Sequence, residues 1–333
     1  MTSTFEHTMA AHCETGTISA LLTHAGLPIS EPMVLGIGGG IFFAYLNQRS
    51  QPFPTFVTRS KPGDIRKQIQ KRLKINFQTH RFSNQLKARE RLDELVSREI
   101  PVAAQVDMFY MDYIPPYMKA HFNGHFVTVI EKNNDSYTVS DCYYPQLAEV
   151  GIMSFEKGRF AGGQLAPKGF LFYPRTVPDN PDLSSAITGG IRHACGAMLK
   201  LPVPFIGVKG IRLFARKVME WPQLARDIEH LSHEIMMIHI ILEERGTGGA
   251  GFRFMYATFL QQAAKILKNS KLEKLSCDMM ANGDRWREIS LYVARIGKNR
   301  DLGQDALGRL SDMLLKRADE EQELFTRLAR AVD

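Results

Sequence analysis

The sequence predicts an α+β domain over residues 1–175 followed by an all-α helical domain over residues 183–333, and three observations carry that division. Runs rich in β-branched residues are confined to the first half, where they follow helical patterns. Beyond residue 183 the apolar residues recur at helical spacing, as at Leu231, Ile235, Ile238 and Leu242 and again at Leu307, Leu310, Leu314 and Leu315. Between them, Tyr173-Pro174-Arg175-Thr176-Val177-Pro178-Asp179-Asn180-Pro181-Asp182 is Pro-rich and aperiodic, as a linker would be. A length of 333 residues and 44% hydrophobic content are enough for two buried cores.

The elements follow in order. Ile18, Leu21, Leu22 and Ala25 place an apolar face on a helix that opens near Cys13. Short strands are expected near residues 33–37 and 53–58, helices near 62–73 and 83–98, and strands near 101–107 and 169–173. Two β-branched runs, one beginning Gly124-His125-Phe126-Val127-Thr128-Val129 and the other Ser136-Tyr137-Thr138-Val139-Ser140-Asp141, flank an Asn-rich turn and read as a hairpin. A three-residue loop at 132–134 would pair Glu131 with Asp135 and thereby set His125 opposite Asp141. Directly opposed side chains share a face, close enough for the carboxylate to accept the imidazole Nδ1–H. An even-membered loop would put them on opposite faces unless a bulge intervened.

A cysteine at a helix N-terminus sits where unpaired N–H groups and the helix dipole favour the thiolate and can hold an oxyanion. Cys13 has that position, although a small residue packed under a helix start would look the same. The His125–Asp141 pair strengthens the case, since a carboxylate-oriented histidine is the base half of a nucleophile triad. A Cys opening a helix, with His and Asp on later adjacent strands, is the chain order of papain-like cysteine enzymes.

The resemblance is closer still. His12-Cys13-Glu14-Thr15, Gly26-Leu27-Pro28-Ile29-Ser30-Glu31-Pro32-Met33, Leu35-Gly36-Ile37-Gly38-Gly39-Gly40, Val106-Asp107-Met108-Phe109-Tyr110 and the Gly124–Val129 strand together resemble the N-terminal domain of the butirosin biosynthesis protein H family. The C-terminal half, around Glu244–Arg253, resembles the helical domain of unknown function that often follows it. The resemblance to the butirosin biosynthesis protein H domain covers roughly residues 5–175. It implies a papain-like fold, with Cys13 moving an acyl group from an acyl carrier protein thioester to a small amine acceptor. No cofactor is implied beyond the phosphopantetheine that carries the donor. The expected steps are proton transfer from Cys13 to His125, steadied by Asp141, then acyl-Cys13 formation and aminolysis. A cysteine peptidase or amidase with the same triad, and a binding protein whose cleft has lost activity, are the alternatives.

Papain-like enzymes usually carry a Gln ahead of the cysteine as an oxyanion donor, and none precedes Cys13. His7 is the candidate in its place, beside the Cys13 N–H. Gly38, Gly39 and Tyr110 are substrate-binding candidates, glycines permitting close approach of an extended acyl or pantetheine chain, as a tight ligand-free loop also would. The loop Gly246–Gly251, followed by Arg253 and Tyr256, is the expected contact for the pantetheine phosphate or acyl chain, against a plain helix–helix turn. Between Arg59 and Arg91 there are eleven Lys or Arg against two acids. Such a basic surface suits an acidic carrier protein, with Lys67, Lys71 and Lys74 as its docking residues, or is an ordinary solvated face.

Other classes are set aside. No helix-turn-helix or zinc pattern and no aromatic interleaving of the basic run point to nucleic acid. His230, His233, Glu234 and His239 do not form H-E-x-x-H, so no metal site is expected. No apolar run is long enough to span a bilayer, the first sixteen residues are too polar for a signal peptide, and Cys13, Cys142, Cys195 and Cys277 lack disulfide-framework spacing. A cytoplasmic location is expected.

Overall fold

A computed structural model describes residues 5–47 and 52–333. In chain order the elements are α1 (Cys13–His24), α2 (Glu31–Ile37), β1 (Ile41–Leu46), β2 (Thr55–Arg59), α3 (Asp64–Leu73), β3 (Asn76–His80), α4 (Gln85–Ser97), β4 (Val102–Val106), β5 (His125–Lys132), β6 (Ser136–Ser140), β7 (Ala148–Gly151), α5 (Ile152–Arg159) and β8 (Leu171–Thr176). The helices α6 (Leu183–Leu199), α7 (Gly207–Lys217), α8 (Trp221–Leu224), α9 (Ile228–His239), α10 (Arg253–Leu267), α11 (Ser270–Lys298) and α12 (Gln304–Ala331) complete the chain. The fold is α+β with a helical C-terminal part, as the sequence predicts.

The chain divides into two compact units, one of residues 1–34 and 69–181, the other of residues 35–68 and 182–333. The first unit carries an antiparallel sheet of order β3-β8-β4-β5-β6-β7. Its core forms where Leu92, Leu95 and Val96 of α4 meet Val102, Ala104 and Val106 of β4 and Val127 and Val129 of β5. These residues alternate along each strand, so one face of the sheet buries them together. Helix α1 packs against the same sheet through β5, β4 and β8.

The second unit is built on helices but also takes in residues 35–68, which the sequence reading places wholly with the first domain. Aromatic packing explains the difference. Phe43 of β1 stacks on Phe56 of β2 (5.5 Å) and on Trp286 (6.0 Å), and Phe56 lies 5.1 Å from Phe214. The Trp221 Nε1–H donates to the Tyr45 hydroxyl at 3.2 Å. The β1–β2 hairpin therefore buries its large side chains among residues far along the chain.

The strand expected at 33–37 is instead helix α2. Ser30 caps it, its Oγ accepting the Met33 N–H and its carbonyl the Val34 N–H, and Pro32 fits the first turn. It ends in a Schellman turn, with the Gly40 N–H on the Leu35 carbonyl, the Gly39 N–H on the Gly36 carbonyl, and Gly39 at φ +61°.

Candidate active site

Cys13 is the first residue of α1 and 3% exposed. His12, extended at φ −132° and ψ 128°, is the N-cap, its Nδ1 accepting the Thr15 N–H at 3.3 Å. The Glu31 carboxylate accepts the N–H groups of Ala11 (3.0 Å) and His12 (2.8 Å) and the Thr15 hydroxyl (2.9 Å). Burial pushes the Glu31 carboxyl up, and these three bonds draw it back. The backbone around the thiol is thus held by two side chains. The Cys13 N–H itself acts on the Tyr143 hydroxyl, and the thiol faces the Gly124 carbonyl at 3.8 Å.

His125 opens β5, pairs with Val106 of β4 and is fully buried. Its Nε2–H donates to Asp141 Oδ2 at 2.7 Å, and Asp141 is also fully buried. The register that brings them together is not the expected one. Lys132 pairs with Tyr137 and the Asn133 N–H donates to the Ser136 carbonyl, leaving a two-residue loop, Asn134-Asp135. That even loop alone would put the two side chains on opposite faces. A bulge at Ile130, between the Val129–Val139 and Glu131–Thr138 pairs, restores the parity. One step beyond the Thr128–Ser140 pair, Asp141 falls level with Val127, two residues from His125 on one face, a diagonal within reach of a His and an Asp.

The nitrogen assignment is also corrected: Nε2 rather than Nδ1 meets the carboxylate. Nδ1 is buried and has no hydrogen-bond partner among the described residues, and the charge of the Cys13 sulfur acts on this imidazole. Burial pulls the His125 pKa down, but the charge and hydrogen bond of Asp141, with Cys13, outweigh it and raise it to about 10. Burial likewise pushes the Asp141 carboxyl up. His125, the Tyr113 hydroxyl (2.8 Å) and the Tyr143 N–H (3.2 Å) overcome this and hold it below its ordinary value. The Tyr143 ring lies over His125 at 5.4 Å and 28°.

This arrangement can take a proton from a thiol and hold the resulting charge beside a helix N-terminus. The chain matches the domain of unknown function DUF4872 over residues 153–328, from within α5 and through β8 into α12, more than half of its length. The chain belongs to that family. Ahead of it, residues 12–142 match the model for butirosin biosynthesis protein H, N-terminal, and that span contains Cys13, His125 and Asp141. Among solved structures the chain is similar to a protein described as a C39-like peptidase from Bacillus anthracis, at 13% identity over 52% of this chain and 96% of that one, with a TM-score of 0.39. No curated protein is similar enough to match.

Not every candidate of this DUF4872 family member gathers at the site. His7 has no N–H to offer an oxyanion: its Nε2–H donates to the Tyr144 carbonyl (2.9 Å) and its Nδ1 meets the Ser140 hydroxyl (2.7 Å). It pins the N-terminal segment to the end of β6, as does the Ala10 N–H on the Cys142 carbonyl. Arg253 cannot contact a pantetheine phosphate, because it is fully buried and bound by Glu321 at 2.9 and 3.1 Å. Tyr256 is fully buried beside Phe259 and Phe325.

Gly38 and Gly39 belong to the helix stop of α2, and a Cβ on Gly39 would lie 2.5 Å from the His193 ring. Tyr110 sits in an aromatic group with Phe109 and His121 between β4 and β5. Lys67, Lys71 and Lys74 are exposed along α3 and its end. No helix among the described residues is long and apolar enough to cross a membrane, and no group of three His, Cys, Asp or Glu among them could hold a metal ion.

Sequence reasoning missed Tyr113, Tyr143, Glu31 and the capping role of His12. Only the last had a local signal, a polar residue three positions ahead of Thr15 at a helix start.

Proposed function

We propose that this protein is a papain-like cysteine acyltransferase that moves an acyl group from a carrier-bound thioester to a small amine. The observation that carries the reading is the buried His125–Asp141 pair, whose Nδ1 is left without a partner and whose imidazole feels the charge of Cys13, the first residue of α1. His125 holds the thiol proton at Nδ1 as an imidazolium beside the thiolate, as its raised pKa favours. The sulfur attacks the thioester carbonyl, the carbonyl–sulfur bond to the pantetheine breaks, and His125 returns the proton to the departing thiolate. An amine then attacks acyl-Cys13, gives its proton to His125 and releases the Cys13 thiolate as the amide forms.

With His7 occupied and the Cys13 N–H directed onto the Tyr143 hydroxyl, the oxyanion falls to the proton of that hydroxyl. The match to butirosin biosynthesis protein H supports a biosynthetic rather than digestive acceptor. Lys67, Lys71 and Lys74 suit an acidic carrier, because they are exposed and strongly basic in context.

The test is turnover of an acyl carrier thioester and of an acyl N-acetylcysteamine thioester, each with a panel of primary amines. Amide formation that exceeds hydrolysis supports transfer, and hydrolysis unaffected by amine indicates an amidase. Reversing Lys67, Lys71 and Lys74 to Glu raises KM for the carrier donor alone; equal impairment with both donors removes the docking role.

A further inference from the structure

A cavity of about 560 Å³ lies in the first unit, between the C-terminal end of α4 and the ends of β3 and β8. Its size is that of a small-molecule site. Arg91, Arg98 and Arg175 line it, with Ile100, Pro174 and the Tyr173 ring as apolar surface and Gln78 as a neutral donor. The one acid paired with these arginines is Glu94, which holds Arg91 at 2.6 Å and Arg98 at 3.6 Å. Arg175 has no acidic partner among the described residues, so the cavity carries an uncompensated positive charge.

Two details argue that it is built rather than incidental. Arg91 is held in place by the Tyr173 hydroxyl at 3.0 Å, yet its Nε is buried without a hydrogen-bond partner among the described residues. The Tyr173 ring is itself backed by His80, stacked at 6.3 Å and 12°. Rigid guanidinium forks beside an apolar wall match a phosphate ester better than a bare ion.

The cavity is separate from the candidate active site. His125 pairs with Val106 at one end of β4, whereas Tyr173–Arg175 continue β8 past the opposite end, beyond the Ala103–Phe172 pair. Two strands and about five residues of rise put the two about 20 Å apart.

We propose that this cavity binds a small organic phosphate, with the phosphate on Arg98 and Arg175 and the apolar body against Ile100, Pro174 and Tyr173. The experiment is calorimetric titration of the full chain with phenyl phosphate and with inorganic phosphate, alongside proton NMR of the His80 ring. Phenyl phosphate should bind roughly tenfold or more tightly than inorganic phosphate, shift the His80 signals, and lose roughly tenfold or more in affinity in the double variant Arg98→Gln, Arg175→Gln. Both substituted residues are exposed, so the variant should fold. Equal weak binding of both probes, or binding that survives the double substitution or leaves His80 unmoved, would overturn the site. Thioester turnover reads on Cys13 alone, so its failure would leave this result standing.

Discussion

Among the described residues each unit buries one pair of opposite charges completely, His125–Asp141 in the first and Arg253–Glu321 in the second, and the two are not equivalent. Every guanidinium nitrogen of Arg253 has a partner, two on Glu321 and one on the Gly251 carbonyl, and Glu321 also receives Asn282 (2.9 Å) and Trp286 (2.7 Å). Asp141 is as well supplied, by His125, Tyr113 and the Tyr143 N–H. The contrast lies in the cation. His125 keeps one buried nitrogen unspent, beside a thiol, where Arg253 keeps none. A saturated pair fixes structure, and a pair whose cation keeps one N–H site for exchange with a thiol is poised for proton transfer.

The contrast breaks most sharply at Asp141. Asp141→Asn should cut thioester turnover by roughly 10³–10⁴-fold, because the amide can donate to Nε2 and leave the proton on Nδ1, where the base is needed. Steady-state rates on folded protein check this, and near-normal turnover would mean that another group orients His125. At the second pair the loss should fall on stability instead. Arg253→Gln leaves Glu321 buried and unpaired and should cost about 3–5 kcal/mol in urea unfolding, whereas Arg253→Met with Glu321→Leu should recover most of it. An Arg253→Gln protein as stable as wild type would show that Glu321 finds other compensation.

Tyr143→Phe sharpens the account within the first unit. Loss of an oxyanion donor should lower kcat by about 10²–10³-fold and leave Cys13 alkylation by iodoacetamide, which forms no oxyanion, at its wild-type rate. Equal loss in both reactions would assign Tyr143 a packing role on His125. The smallest effect is on pH-dependent stability. With its pKa raised to about 10, His125 contributes stability that is complete below its ordinary 6.5 and lost as pH rises through about 10. Asp141, held below its ordinary 3.8, contributes stability present above that value and lost as pH falls through its lowered one. Urea midpoints of wild type and Asp141→Asn should therefore differ most near pH 6 and converge toward pH 10. A constant gap would mean that the pair is not charged in the folded protein.

Much of the site was legible because it rests on local rules. Cys13 at a helix start and two β-branched runs around an Asn-rich turn are short-range signals, and they single out Cys13, His125 and Asp141 as candidates. The register was not legible, since the two-residue loop and the bulge at Ile130 are separate departures whose effects on parity cancel. Helix α2 was legible in principle, from Ser30 and Pro32 at its start and Gly39 at its end, but the apolar run Met33–Ile37 reads equally as a strand. What the sequence hides is long-range: Tyr113 reaches Asp141 and the Tyr143 ring covers His125 only after β5 and β6 are in place, and Arg253 looks like a free anion ligand until Glu321 lies against it. Residues 35–68 join the second unit through Phe43, Tyr45 and Phe56, whose partners Phe214, Trp221 and Trp286 are more than 150 positions away.

The most direct test of the central claim is to trap the acyl-enzyme. The protein is mixed with an acyl N-acetylcysteamine thioester without amine, quenched in acid and mapped by peptide mass spectrometry. Competing thiols are well defined: burial pushes Cys142 and Cys195 up, and Cys277 is exposed. One acyl group is expected on the Cys13 peptide, absent in Cys13→Ser, strongly reduced in His125→Ala, and discharged as an amide when amine is added. Acylation of Cys277 with Cys13 unmodified, or Cys13 labelling undiminished in His125→Ala, would contradict it.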